Sequence, residues 1–402
     1  MTKLAVITRY FPSSAEPWQG RSCYETLRIL ATHVEVKVFY PNADYPSLLR
    51  PRTRLYDKLD PAWSPPGVRV KYIDYPALPL VSRPMNGTVA ARQLLPYIRD
   101  FEPNLIVGIF LYPEGYAALR IARNLGVPVV AESIGSDINR VGDPISARFT
   151  RTVLREADFV ITKSADSRNK AIAMGASPVS TRALPNGCDT AIFRTQNRLL
   201  AREKLKIDPS AETVVYIGRT DIRKGLRELV EAAAALHRAR PRLHTYMVGE
   251  GPDRSLIANH IQQHHAFDYI HLMPRCSFDE VAVWMSAANL VALPSYMEGC
   301  PNVVLEALAC GRPVVATRVG GIPEILSEQF GRLVVPRDSA ALSEAIACVL
   351  DADWDSLTIA AKNNRSWNDV AEELLDILTS VAAAPGSRGR DRTSVATRIG
   401  TV

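Results

Sequence analysis

The sequence predicts an α/β protein of two doubly wound domains, each a parallel sheet with helices on both faces. Three observations carry this. The chain has 402 residues, and a single domain usually takes about 100–200. Short apolar runs rich in β-branched and aromatic residues alternate with helical patterns along nearly its whole length, as buried parallel strands do when crossover helices cover both faces of a sheet. The alternation breaks once, at 185–212, where PNGCDTAIFRTQNRLLAREKLKIDPSAE is polar and turn-rich.

Taken in order, the first series of strands is LAVIT at 4–8, VEVKVFY at 34–40, RVKYIDY at 69–75, NLIVGIF at 104–110, PVVAE at 128–132 and DFVIT at 158–162. The second is TVVYIG at 213–218, LHTYMVG at 243–249, YIHLM at 269–273, NLVALPS at 289–295, PVVAT at 313–317 and RLVVP at 332–336. About a dozen strands exceed what one open sheet carries, so the reading is two domains, 1–188 and 189–365, with a linker near 188–192. Residues 41–66 are too proline-rich for a regular helix and read as a mobile surface loop. At 366–381, SWNDVAEELLDILTSV places Trp367, Val370, Leu374 and Ile377 on one helical face. The remainder, 382–402, has no periodicity and reads as a disordered basic tail.

Composition narrows the class. The chain is 47% apolar and 22% charged, and no apolar run approaches the ~18–20 residues that span a bilayer. The short apolar run near the start, Leu4–Ile7, is too short for a signal-peptide core, so export is not expected. Six cysteines, Cys23, Cys188, Cys276, Cys300, Cys310 and Cys348, lie far apart without a Cys-x-x-Cys pair, which fits a reducing cytoplasm and no zinc site. The net charge of +6 does not argue for nucleic acid: Arg388, Arg390, Arg392 and Arg398 against Asp391 place half of it in the tail.

Ligands of doubly wound sheets bind at the carboxyl ends of the strands, so two such domains place a site in the cleft between them. In SYMEGCPNVVLEALACGRPVVAT, 295–317, a strand is followed by a loop with Glu298, Gly299, Cys300 and Pro301 and a helix from Asn302 to Cys310. The free N–H groups and positive dipole end at that helix start suit a phosphate or a sugar hydroxyl. Glu306 lies eight positions after Glu298 and reaches the same pocket from the side, or each glutamate serves only its helix. In YIGRTDIRKGL, 216–226, Arg219 and Lys224 follow Gly218 at a strand's carboxyl end, where two cations can hold a diphosphate. Leu226, Leu229, Val230, Ala233 and Leu236 form the buried stripe of the next helix. MVGEGPDRSLI at 247–257 repeats the strand, glycine turn and helix form. Neither a Gly-x-Gly-x-x-Gly fingerprint in residues 1–30 nor a Walker loop occurs, which removes NAD enzymes and P-loop ATPases. In the first domain, Gly20 stands between a strand and a helix, and AESIGSDIN, 131–139, ends a strand with exposed polar residues including Ser136 and Asp137. HIQQHH, 260–265, reads as the polar face of a helix and not as a metal site.

These blocks together resemble glycosyltransferase family 4, or glycosyl transferases group 1, the retaining, nucleotide-sugar-dependent enzymes of GT-B fold. The resemblance runs through YPEGYAALRIARNLGVPVV at 112–130, GSDIN at 135–139, LPNGCDTAIF at 184–193, YIGRTDIRKGL, VGEGP at 248–252 and EGCPNVVLEALACGRPVVATRVGGIPEIL at 298–326. It covers the chain to about residue 380. It implies that Arg219 and Lys224 clamp the donor diphosphate, Glu306 meets the ribose, and Glu298 acts beside the donor sugar. Backbone amides over Gly299–Asn302 orient that sugar, with Gly299, Cys300, Pro301 and Asn302 assigned to donor binding. Gly218 and Gly20 approach the diphosphate, and the backbone near 273–275, with Arg275, meets the base. Ser136 and Asp137 are assigned to the acceptor; the histidine that many members carry before Gly-x-Asp is here Ile134. The helix at 366–381 is implied to return to the first domain.

The resemblance further implies a retaining hexosyltransferase that moves a sugar from a UDP- or GDP-sugar to a glycan or lipid-linked acceptor, in cell-surface polysaccharide synthesis. Configuration is kept through an oxocarbenium-like state. No metal and no cofactor beyond the nucleotide-sugar co-substrate is expected, since two cations neutralise the diphosphate and no Asp-x-Asp triplet is present. The expected location is cytoplasmic, on the inner face of the plasma membrane if the loop at 48–63 binds anionic lipid through its interleaved basic and apolar residues; a solvated basic loop is the other reading. The competing functions are a non-catalytic nucleotide-sugar binder and a GT-B sugar-nucleotide epimerase or phosphorylase.

Overall fold

The computed structural model describes residues 2–46, 59–79, 82–139 and 143–383. They form two compact units, one of residues up to Leu184 together with those from Asn368 onward, the other Pro185–Trp367. The tail beyond 383 and most of the basic loop, 47–58, lie outside the described residues.

The first unit is a seven-stranded sheet. Its strands are β1 (Lys3–Ile7), β2 (Glu35–Asp44), β3 (Arg69–Pro76), β4 (Leu105–Ile109), β5 (Val129–Glu132), β6 (Phe159–Thr162) and β7 (Thr181–Ala183), in the order β3-β2-β1-β4-β5-β6-β7. Every pairing is parallel. Leu105–Ile109 is buried at every position, as a central strand covered on both faces must be. The strand order turns at β1 and β4, so their carboxyl ends open the crevice where doubly wound sheets take ligands.

Two details of this unit depart from the sequence reading. The short strand β7 was not expected: Thr-Arg-Ala carries no apolar run, and only its pairing with Val160, Ile161 and Thr162 defines it. The second strand runs to Asp44, past the proline that was placed in a loop. Phe39 O accepts from Thr8 N, so the nitrogen of Pro41, two positions on, faces the same side, where β1 has already ended. The missing N–H therefore breaks no ladder bond, and Pro41 pairs with Ile73 on the other side.

The second unit is a six-stranded parallel sheet of β8 (Glu212–Ile217), β9 (Leu243–Val248), β10 (Ile270–Met273), β11 (Leu290–Leu293), β12 (Val314–Thr317) and β13 (Gly331–Val334), in the order β10-β9-β8-β11-β12-β13. The helix Leu226–His237 buries the expected stripe, Leu226, Leu229, Val230 and Ala233, with Leu236 packed at its margin. Each large aliphatic side chain so placed contributes about 1.5–3 kcal/mol. Ser277 and Glu280 close a capping box at the start of Phe278–Ala287.

The boundary between units falls at Leu184 and Pro185, a few residues before the expected 188–192. Tertiary bonds move it: the Asn186 amide donates to Cys300 O at 3.2 Å and to Asn302 Oδ1 at 2.8 Å, and Cys188 forms a bridge with Ser366. The same bridge holds Ser366 and Trp367 in the second unit, although the expected terminal segment began at 366. The helix Trp367–Ala383 buries Val370, Leu374 and Ile377, and its residues from Asn368 belong to the first unit. Among the described residues, no helix is long and apolar enough to cross a membrane.

Candidate functional site

In the second unit the carboxyl ends of the neighbouring strands β8 and β11 carry the residues singled out above. After β8, Gly218 N donates to Val248 O at 3.0 Å, and the Tyr216 hydroxyl holds Arg219 O at 2.7 Å. The Arg219 side chain is left exposed. The chain then makes one tight turn, Ile222–Lys224, and passes through Gly225 at φ 68° into the next helix. A Cβ at Gly225 would stand 1.9 Å from Pro294 O, so only glycine lets the turn press against the end of β11. Tyr296 N donates to Arg223 O at 2.9 Å and secures the contact.

This approach brings Lys224 Nζ to 2.6 Å from Glu298 Oε1. The side chains are 29% and 11% exposed. The sequence reading put both residues at the site without anticipating the ion pair between them. Arg223, which lies between the two expected cations, is turned away: it bonds Asp221, whose carboxyl is held down at about 2 by that arginine.

The loop with Glu298, Gly299, Cys300 and Pro301 is fixed on both sides. Gly321 N donates to Gly299 O at 2.9 Å, and Gly320 lies so close that a Cβ there would be 1.9 Å from Glu298 O. Asn186, from the first residues of this unit, holds Cys300 and Asn302 as described. The helix Asn302–Ala309 begins without a side-chain cap; Val304 N donates to Pro301 O at 3.2 Å, and the N–H groups of Asn302 and Val303 are those that suit an anion. Glu306 is half-buried on that helix, and its charge helps to raise the Cys188 and Cys310 thiols, after the larger effect of burial. Arg275 is exposed beyond β10. The turn before it is held by Arg254, which donates to Gly249 O and Met273 O at 3.1 Å and to Leu272 O at 2.9 Å. Asn186 and Arg254 both lie in or beside the blocks quoted above, but their roles depend on partners far away in sequence.

In the first unit, Gly20 caps the helix Arg21–Leu30 and lies against the Tyr10 carbonyl. Ser136 is exposed at the start of a one-turn helix. Asp137 is buried and occupied: it accepts from Leu111 N at 2.8 Å, Ser133 Oγ at 2.7 Å and Gly135 N at 3.1 Å. It acts as a peg joining the ends of β4 and β5, and the polar tip expected to be exposed is, at Asp137, internal. Burial pushes its carboxyl up despite these bonds.

A residue that the sequence reading passed over stands beside it. Glu114 is 5% exposed just after β4, and its Oε2 has no hydrogen-bond partner. Burial pushes its carboxyl up to about 7, with Arg9 opposing and Asp137 adding to the shift. YPEG gave no signal of this, because burial of a loop glutamate is decided by the strands around it. In the HIQQHH segment, His260 Nε2 lies 3.4 Å from Glu231 Oε1, and these two residues with His264 keep one donor atom each within 4.8 Å.

Two parallel Rossmann-like sheets, one with a lysine–glutamate pair and an uncapped helix start at its strand ends, give the architecture of the GT-B glycosyltransferases. The family model for glycosyl transferases group 1 matches residues 197–367, and that for the glycosyl transferase 4-like domain matches 19–187. The chain is 28% identical over 364 residues to a putative teichuronic acid biosynthesis glycosyltransferase, TuaC, of Bacillus subtilis, covering 86% of this chain and 88% of that one. It is 31% identical over 303 residues to D-inositol 3-phosphate glycosyltransferase 1 of Catenulispora acidiphila, covering 69% and 72%. The solved structure of Anabaena Alr3699/HepE in complex with UDP has the same fold, with a TM-score of 0.74 at 18% identity over 94% of this chain and 100% of that one. The protein belongs to the group 1 glycosyltransferases, family 4, of GT-B fold, and its activity is glycosyl transfer.

Proposed function

We propose that the protein is a retaining hexosyltransferase that takes its sugar from a UDP- or GDP-sugar without a metal ion and passes it to a glycan or lipid-linked acceptor in cell-surface polysaccharide synthesis. The Lys224–Glu298 pair at the strand ends is the observation that carries this reading. A lysine already held beside a carboxylate, with Arg219 exposed nearby and an uncapped helix start after the loop, is suited to a diphosphate and its sugar. As the bond to the diphosphate breaks, negative charge grows on the leaving oxygens. Arg219, Lys224 and the N–H groups from Asn302 would stabilise it, at about 10²–10³ in rate for each well-placed donor. Glu298 would keep Lys224 oriented before the donor arrives and then face the sugar, while Glu306 takes the ribose. The UDP bound by Alr3699/HepE and the teichuronic acid biosynthesis in the name of TuaC support the donor and acceptor classes.

Calorimetric titration with UDP, GDP and ADP, without added metal, tests the donor assignment. Selective binding that weakens about 10-fold or more in Arg219→Ala supports it. Absence of binding by the folded protein at millimolar concentration would favour a non-catalytic role. Proton NMR of the anomeric product tests retention: an inverted product defeats that part of the proposal.

A further inference from the structure

At the opposite end of the second sheet, the starts of β8, β11 and β12 gather three arginines. Arg312 is 2% exposed, immediately before Pro313 and β12. Its Nε and Nη1 are buried without hydrogen-bond partners, as is Nε of Arg198. Among the described residues, no carboxylate lies within ion-pair distance of either. Arg202 completes the group but is satisfied by neutral acceptors, Ala287 O at 3.0 Å, Pro209 O at 2.6 Å and Asn289 Oδ1 at 2.7 Å. Charge of one sign is thus concentrated where little water reaches it. Burial lowers the proton affinity of Arg312 to about 10, and Arg198 and Arg202 push the same way while Cys310 opposes them. Taking a charge out of water is costly unless a counter-charge accompanies it.

The arginines are not packed into apolar core. Arg198 and Arg312 line an open surface pocket of about 420 Å³ together with Thr195, Gln196, Asn197 and Ser356. Its lining is polar except for Leu357. The Asn197 carboxamide oxygen is taken by Leu199 N and Leu200 N, which leaves its NH₂ as a further donor. Donors therefore share this surface with apolar atoms, and two planar guanidinium groups match the oxygens of a phosphate. The volume exceeds what phosphate alone needs and falls in the range of small-molecule sites.

We infer that this pocket is a second binding site, for a small phosphorylated metabolite of the sugar-phosphate class, with the phosphate held by Arg312 and Arg198 and the hydroxyls by Thr195, Gln196, Asn197 and Ser356. It is separate from the donor site, which lies at the carboxyl ends of β8 and β11, whereas these residues lie at their amino ends. The helix Asn302–Ala309 joins the two, starting at the donor loop and ending at Cys310, Gly311 and Arg312. The inference does not depend on the identity of the sugar donor.

The test is calorimetry and thermal denaturation of the full chain with inorganic phosphate and with glucose 6-phosphate, against chloride at equal ionic strength. Every titration is repeated in Lys224→Ala, which weakens phosphate binding at the donor site. Expected are saturable binding that persists in Lys224→Ala, tighter binding of glucose 6-phosphate than of phosphate, and a loss of about 10-fold or more in Arg312→Met. In chloride, Arg312→Met should unfold at the same or a higher temperature than wild type, since an uncompensated buried charge is gone. Arg198→Gln, at a less buried position, should weaken binding without loss of fold and serves if Arg312→Met does not fold. No binding up to about 10 times millimolar concentration, or binding abolished in Lys224→Ala, overturns the inference. Binding unchanged in both arginine variants overturns it equally. Equal affinity for the two ligands would overturn the sugar-sized part.

Discussion

Lys224 and Glu298 are 74 positions apart, and their ion pair couples two residues that would otherwise act separately. Removing Lys224 leaves a largely buried carboxylate without its partner, so Lys224→Ala should lower kcat/KM by more than the loss of one phosphate contact. A double-mutant cycle separates the two effects. Lys224→Ala and Glu298→Ala should each cost about 10²–10³ in kcat/KM, and the double variant should cost far less than their product. Strict additivity would show that the pair has no shared role in transfer. Glu114 makes a prediction about pH. Its carboxyl titrates at about 7 in the folded protein and at 4.5 in the unfolded chain. Between those values the folded state holds a proton that the unfolded state has released. Its contribution is therefore complete below pH 4.5 and declines by about 3 kcal/mol as pH rises through 7. Urea midpoints measured from pH 4 to pH 8 should fall across that window for wild type, and Glu114→Gln should flatten the fall. Equal profiles for the two proteins would place this carboxyl at its ordinary value.

The turn from Ile222 to Gly225 determines whether the lysine reaches the glutamate. Gly225→Ala introduces a Cβ where Pro294 O stands and a left-handed backbone that alanine resists, so the turn must lift from β11. The expected outcome is a loss of about 1–3 kcal/mol in stability, together with donor affinity at least 10-fold weaker. Thermal denaturation and nucleotide titration read the two effects; a stable variant with unchanged nucleotide affinity would separate the turn from binding. Both charged residues were singled out in the sequence, in YIGRTDIRKGL and EGCPNVVLEA, whereas the turn glycine Gly225 was not. The contact between the two charges was not legible either, because it depends on β8 and β11 being neighbours, an arrangement fixed by strand order. Asp137 shows the opposite outcome. Its Gly-x-Asp setting reads as an exposed tip, but Leu111, from the preceding strand's end, turns it inward.

Across the whole chain, the C-terminal helix ties the last described residues to the first unit, although Pro185–Trp367 lies between them in sequence. Leu374 is 4% exposed on its buried face. Leu374→Ala should therefore lower the stability of the first unit by about 2–5 kcal/mol. Hydrogen exchange should show faster opening in β1 and β4 and unchanged protection in β8 and β11; uniform loss in both sheets would contradict the assignment of this helix. Among the described residues, twelve of the thirteen strands and the two-unit division could be read from alternating apolar runs, because a strand buried on both faces writes its burial directly into residue type. The family could be read too, since phosphate and sugar ligands require glycines, cations and carboxylates at set spacings. Only the tertiary structure decided which of those charges meet, that Arg223 is spent on Asp221, that Glu114 is sealed in, and that Arg198 and Arg312 line one pocket with no carboxylate of the described residues within ion-pair distance. Burial and pairing of a polar side chain are properties of its neighbours in space, and those neighbours come from strands and helices that the local sequence does not specify.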